Sequence, residues 1–514
     1  MPGVNVTTTV RTGPVGTGTN VAGQAFLVGT AERGSTTEPT LLRSFRDYTT
    51  FYGNYQSGNL YSHVKTFFDE GGSRCYVFRT TDYDTPGGQV AATLTLNQGA
   101  SATLTLTAAN VGTWGNGLTA TIETSVEDAN ILAGYFRVKI ALDGVQLLTS
   151  RDLLDKDDAI NFINTSNVKQ LVVASDADPA VTNPDAIADA SFTGGAETAP
   201  TAAHIVSALD GTFDPDPDVT SCFSPTLGVG AVAAPGYTGS TIWNALRDHG
   251  VAANRVALCA FTLGDSSATA KSAAAGYYTD SNAQSMAFYW PHIKVPSPNT
   301  TELATGQSSV TTATINLSPE AYAAAARSKA VEAAGGPWRP GAGQISEAVN
   351  VADLYQDVTP ATAQTLDDAR INAIRKVNDT IRVYGARSVS SDEANWRYIT
   401  QQDTINYIKD GIEERMERFL FDVIDGNGVL FGRIRSAITA LLKPIAKSNG
   451  LYAAFDANGG QIDPGFTVDV STDNNPTTQL AGGEVTATVG VRVSGVADLI
   501  NVVITKSNLV DPLV

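Results

Sequence analysis

Residues 25–31 read AFLVGTA and residues 75–80 read CYVFRT; both are short apolar runs rich in strand formers, the pattern of buried strands. Between them Leu60, Val64, Phe67 and Phe68 recur at helical spacing until Gly71-Gly72 stops the helix. Strand, helix, strand predicts a parallel α/β sheet at the front of the chain, because parallel neighbours need a crossover of this kind. The alternation resumes after Pro200. IWNALRDHG (242–250) reads as a helix, RVALCAFT (255–262) as a strand and MAFYWP (286–291) as another.

The text between these halves differs. After Pro86-Gly87-Gly88, ATLTLNQGASATLTLTA alternates apolar residues with threonine in two runs joined by a glycine turn, which predicts a hairpin. LTATIETSV and YFRVKIALDGVQLLT follow, so 85–199 reads as a β-rich module. Further on, SPEAYAAAARSKAVEAA (318–334) reads as a helix with proline at its first position. Thr365 with Asp368 is a cap signal, and Ile371, Ile374, Val377, Ile381 and Tyr384 form a stripe that predicts a helix closed by Gly385. A second stripe is Ile405, Ile408, Ile412, Met416, Phe419, Leu420 and Val423, and a third helix around 429–443 is expected to end or kink at Pro444. EVTATVGVRV (484–493) and DLINVVITKS (498–507) read as strands.

A chain of 514 residues holds several cores. Its formal net charge of −18 opposes broad association with nucleic acid or an anionic membrane surface, both of which need an excess of Lys and Arg. Charged residues make up only 17% of the sequence, below the roughly 25% of an average soluble domain, so neighbouring copies are expected to cover much of the surface. Cys75, Cys222 and Cys259 are too few for a paired disulfide framework and suit reduced thiols. MPGVNVTTTVRTGP lacks a basic stretch followed by an apolar run, and no window approaches a membrane span. Synthesis in the cytoplasm is the expectation.

Catalytic signals are weak. There is no phosphate loop, no HExxH and no GxSxG, and His63, His204, His249 and His292 lack metal-ligand spacing. Gly13, Gly16 and Gly18 have no strand before them and no helix after, as a dinucleotide loop requires. Asp214, Asp216 and Asp218 alternate as in a calcium loop, but Val219 replaces the turn glycine and Pro225 the bidentate glutamate. Asp210, His249 and Ser285 occur in the order used by subtilisin-like proteases. Ser285, however, lacks a preceding glycine and runs into the strand Phe288-Tyr289-Trp290, so the order alone carries no protease.

AFLVGTAERG (25–34), EPTLLRSFRDYTTFYG (38–53) and EGGSRCYVFR (70–79), together with AANVGTWGNGLTATI (108–122), GYYTDSNAQSMAFYWPHIKV (276–295) and VNDTIRVYGARSVSSDEANWRYIT (377–400), resemble the tail sheath proteins of contractile phages. That family has relatives in phage-tail-like bacteriocins and contractile injection systems. PWRPGAGQ (337–344) departs from the family's Trp, Pro, Ala, Asn pattern.

The resemblance implies an α/β multidomain fold with five parts. These are an extended arm (1–22), a discontinuous α/β domain that is subtilisin-like without proteolysis (23–84 and 200–345), an inserted β-rich outward-facing domain (85–199), a tube-facing C-terminal α/β domain (346–494) and a strand arm (495–514). It also implies stacked hexameric rings around an inner tail tube, contraction that drives the tube through a cell envelope, partners at baseplate and tail terminator, a place in the tail or injection particle, and no cofactor.

An end strand without partners of its own recruits another sheet edge. Val4, Val6 and Val10, with Leu499, Val502, Val503 and Ile504, are the candidates for strands lent to adjacent copies. Arg433, Arg435, Lys443 and Lys447 are the candidate cationic face toward an acidic tube. Trp114, Gly115 and Asn116 are a structural motif beside the β-rich module. The alternatives are a degenerate or active subtilisin-like hydrolase and an exported adhesin-like β protein.

Overall fold

The computed structural model describes residues 22–56, 58, 60–125, 134–180, 183–214, 216, 218–298 and 314–498. The arm strands expected at Val4, Val6 and Val10 and at Leu499, Val502, Val503 and Ile504 lie outside these residues.

The apolar runs at the front become β1 (Ala25–Gly29), β2 (Thr40–Leu42) and β3 (Cys75–Arg79), with helix α1 (Tyr61–Asp69) crossing between β2 and β3. Residues 93–191 then supply β4 (Thr93–Gln98), β5 (Ser101–Ala108), β6 (Leu118–Thr124), β7 (Phe136–Leu142), β8 (Val145–Thr149), β9 (Val172–Asp176) and β10 (Ile187–Ser191). The first pattern returns with β11 (Gly230–Ala233), α2 (Ser240–Ala252), β12 (Arg255–Ala260), β13 (Met286–Trp290) and α3 (Glu320–Ala334). After these come β14 (Ile371–Val377), β15 (Thr380–Tyr384), α4 (Ile399–Met416), α5 (Val429–Lys447), β16 (Phe466–Asp469) and β17 (Thr488–Val491).

One eight-stranded sheet has the order β2-β3-β1-β11-β12-β13-β14-β15. Neighbours from β3 through β14 are parallel, and the two edge strands are antiparallel. Every residue of β1, β11, β12 and β13 is buried, as expected of parallel strands covered on both faces. The alanine-rich α3 buries Ala321 through Ala326; its small side chains let it sit close against the sheet. Pro319 stands one position before the helix, at its N-cap, rather than at the first helical residue.

The β-rich residues build a separate core from a three-stranded sheet, β9-β5-β4, and a four-stranded one, β10-β6-β7-β8. Alternation is clean. Leu118, Ala120 and Ile122 of β6 are buried together with Phe136, Val138 and Ile140 of β7, Ala120 paired with Ile140 and Ile122 with Val138, so the period of two in the sequence points one face inward. A third core gathers Ile408 of α4, Leu430, Ile434, Ile438, Leu441, Leu442 and Ile445 of α5, and Trp338, Leu451 and Val470.

Three helix expectations need correction. The stripe from Ile371 to Tyr384 is the hairpin β14-β15, not a helix. Asn378 and Asp379 both take positive φ, 49° and 63°, between the paired Val377 and Thr380, which is the two-residue turn that matches strand twist. The helix signalled by Thr365 ends at Asp368. The second stripe ends at Met416, which leaves Leu420 and Val423 exposed. Of the two outcomes expected for the third helix at Pro444, an end or a kink, the end is excluded, because the helix runs on to Lys447.

Candidate assembly surfaces

Helix α5 separates its faces by spacing alone. Leu430, Ile434, Ile438, Leu441, Leu442 and Ile445 are buried, whereas Arg433, Arg435, Lys443 and Lys447 are exposed. At 100° per residue the two lysines fall opposite the buried stripe, and the two arginines flank it. Arg433 donates to Asp422 at 2.8 Å and lies 5.2 Å from the Phe419 ring. Arg435 donates to the Val470 carbonyl at 2.9 Å. Among the described residues Lys443 and Lys447 join no ion pair, so the four expected cations do share one helix, with two of them uncommitted.

Strands β16 and β17 pair antiparallel, Phe466 with Val491 through Asp469 with Thr488, and form a sheet of two strands only. Val470, next to β16, is buried in the third core, and a buried Asn475 ties the connecting loop to the Thr486 carbonyl and amide. Two strands alone are marginal in water. Both outer edges of this pair lack a strand neighbour among the described residues, which leaves backbone donors and acceptors able to receive further strands.

Trp114, Gly115 and Asn116 lie in a 3-10 turn, Thr113–Gly117, where the first core meets the second. Trp114 is 8% exposed and donates through Nε1 to the Val111 carbonyl at 3.2 Å. Asn116 exchanges two 2.9 Å hydrogen bonds with the Gly195 backbone. Gly112 before them has φ of 128°, and a Cβ there would stand 3.0 Å from Arg79.

Arg79 itself, fully buried at the end of β3, was missed in the sequence. It donates to the carbonyls of Ala31, Gly34 and Val111 and pairs with Glu197. Burial lowers its pKa and raises that of Glu197, with each charge partly offsetting the other's desolvation. An arginine closing an otherwise apolar strand, CYVFR, was the available signal.

Asp210, His249 and Ser285, whose order alone suggests a protease, do not form a triad. His249 meets Ser221, with Nδ1 3.0 Å from Oγ, beside a cavity of about 480 Å³ that Asp210 and Asp248 also line. Its Nε2 lies 2.9 Å from Arg255 Nη1. A guanidinium can only donate, so Nε2 accepts and Nδ1 carries the proton. The Ser221 hydroxyl, which also accepts from the Phe223 amide at 3.0 Å, therefore faces a donor and not a base. Burial, then the Arg255 charge, pushes the imidazole down to about 3. Ser285 sits in a short turn before β13. Asp214 and Asp216 cap backbone amides two residues on, and no metal cluster occurs among the described residues.

The fold as a whole is that of solved tail sheath proteins. The sheath tail protein of Listeria innocua matches it with a TM-score of 0.59 at 14% identity, over 88% of this chain and 89% of that one. The sheath tail protein of Desulfitobacterium hafniense matches at 0.55 and 13% identity, over 92% and 94%. A chain of the helical sheath of the anti-feeding prophage in its contracted state matches at 0.55 and 14%, over 98% and 100%. No family model and no curated protein matches the sequence.

Proposed function

We propose that this chain is the sheath subunit of a contractile tail or tail-like injection particle, and that its role is structural and not enzymatic. The observation that carries the reading is the end-to-end likeness to a helical sheath in its contracted state, 98% of this chain against 100% of that one. Subunits stack as hexameric rings around an inner tube, bind a baseplate below and a terminator above, and shorten to push the tube through an envelope.

The arms, 1–22 and 495–514, add strands to the open edges of β16-β17 on adjacent copies, joining rings into a mesh by β-augmentation. Such sheets persist while subunits rotate about the glycine-rich stretch from 13 to 23. Assembly on the tube traps a packing whose release is gated kinetically, so contraction needs no nucleotide. The domain from 346 to 494 faces the tube with Arg433, Arg435, Lys443 and Lys447. The discontinuous domain of 23–84 and 200–345 is a subtilisin-like frame without proteolysis, and residues 85–199 face outward as an inserted module.

Electron microscopy of the full chain, alone and with its tube protein, tests the reading. Helical polymers are expected from the wild type, and folded but unpolymerised protein from a variant lacking 1–21. Reversing the four α5 charges to glutamate is expected to abolish tube binding while polymerisation persists. A body that never polymerises, or that cleaves peptides, overturns the proposal.

A further inference from the structure

The chain passes from the third core to its last described residue, Asp498, by crossing to the frame of the first. Arg397 Nη2 donates to Asp498 Oδ2 at 2.9 Å, and Tyr398 lines the same groove as that carboxylate. Both residues stand on a rigid platform. Ser388 N donates to the Arg397 carbonyl at 3.1 Å, Ile399 N donates to the Ala386 carbonyl at 3.0 Å, and Tyr398 caps α4.

A ladder of charges extends the contact inward. Arg397 Nη1 reaches Glu393 at 3.2 Å, Glu393 lies 3.7 Å from Arg387 Nη1, and Arg387 grips Asp367 through two bonds of 2.9 and 2.7 Å. Arg397, Arg387 and Asp367 line a groove of about 660 Å³ with Arg375, Val496 and Ala497. Arg375 Nε, Arg387 Nη1 and Arg397 Nε are buried without a hydrogen bond, so the ion pairs along this ladder hold the guanidinium groups only in part. Burial alone would raise the Asp498 carboxyl, but the Tyr398 hydroxyl and the Arg397 guanidinium outweigh it and hold it below the usual range.

We infer that Arg397 and Tyr398 form a clasp on Asp498 that fixes the direction in which the chain leaves the body after residue 498, and that lattice formation depends on this fixed exit. The second clause rests on reading the segment from 495 onward as an exchanged arm. Arg397 and Asp498 act here as positioning residues. A single half-exposed ion pair contributes little on its own, but a fixed exit is used once by every subunit of a polymer, so small losses multiply along the lattice.

Three variants of the full chain test it: Arg397→Asp, Asp498→Arg and the exchanged double. In the unassembled chain, amide hydrogen exchange at 496–498 is expected to speed up about two- to fivefold in each single variant and to return toward the wild-type rate in the double. Polymer yield by sedimentation should fall in the singles and recover in the double, with an unchanged melting temperature of the body. Exchange at 496–498 that ignores the single variants, or a double no better than the worse single, overturns the clasp. Restored exchange without restored polymer overturns the dependence of the lattice on it. A wild type that never polymerises overturns the sheath reading instead, and the clasp is then judged on exchange alone.

Discussion

Arg79 shows how much of the assembly between cores rests on one side chain. Its guanidinium is fully buried and serves three carbonyls and Glu197. Replacing it with leucine leaves all four acceptors dry, and removing one partner of a buried pair costs about 3–5 kcal/mol. We expect Arg79→Leu to lose that much in denaturant unfolding. Adding Glu197→Leu should then cost less than the sum of the single changes, because no lone charge remains buried.

Glu320 makes a prediction in pH. Burial pushes its carboxyl up to about 7 from an ordinary value of 4.5, and its Oε2 finds no hydrogen-bond partner. The folded chain therefore binds more protons between those values, and this group's contribution to stability falls as pH rises from about 4.5 to about 7. His63 and His249, pushed down to about 3 by burial first, act oppositely. Their contribution is present above about 6.5 and is lost as pH falls. Glu320→Gln removes only the first contribution. Its unfolding free energy relative to the wild type should rise by about 2–3 kcal/mol between pH 5 and pH 8, and a difference independent of pH would refute the assignment.

At the scale of elements, the strands of the parallel sheet were legible because runs such as AFLVG and RVALCA are apolar throughout, as doubly covered strands must be. The hairpin at 371–384 was not. Its residues satisfy a helical stripe by coincidence, and the deciding facts are that Ile371 pairs with Phe288 and that Asn378-Asp379 makes the turn. Pairing with a strand so distant in sequence leaves no local mark.

Pro444 misled for a related reason. A proline breaks a helix when its ring and its missing N–H go uncompensated. Here it is exposed near the end of a helix whose buried stripe continues to Ile445, so packing on the third core carries the helix past it. Pro444→Ala should accordingly raise stability by about 2 kcal/mol, the helical gain less the unfolded-state loss. A thermal melt checks it, and a lowered midpoint would show that the ring packs favourably.

Among the described residues the molecule carries three large cores of different make, beside a small cluster of Ala22, Val229 and Val331. Cores of this kind unfold as separate cooperative units when the contacts between them are few. Calorimetry of the unassembled chain should resolve more than one transition, with Arg79→Leu splitting the first and second cores further apart. A single transition whose calorimetric and van't Hoff enthalpies agree would mean the cores are fully coupled.

What the sequence determined by itself follows from local periodicity. It marked the α/β alternation on either side of a β-rich stretch, placed Arg433, Arg435, Lys443 and Lys447 on one helix, and grouped Trp114, Gly115 and Asn116 in one tight turn. Only the tertiary structure decided the rest: that His249 turns a proton toward Ser221 and cannot act as its base, that Arg79 bridges two cores, and that β16 and β17 have no third strand beside them among the described residues. Each of these depends on groups far apart in the chain meeting at hydrogen-bond distance, and such a meeting is set by how whole elements pack, which no run of neighbouring residues encodes.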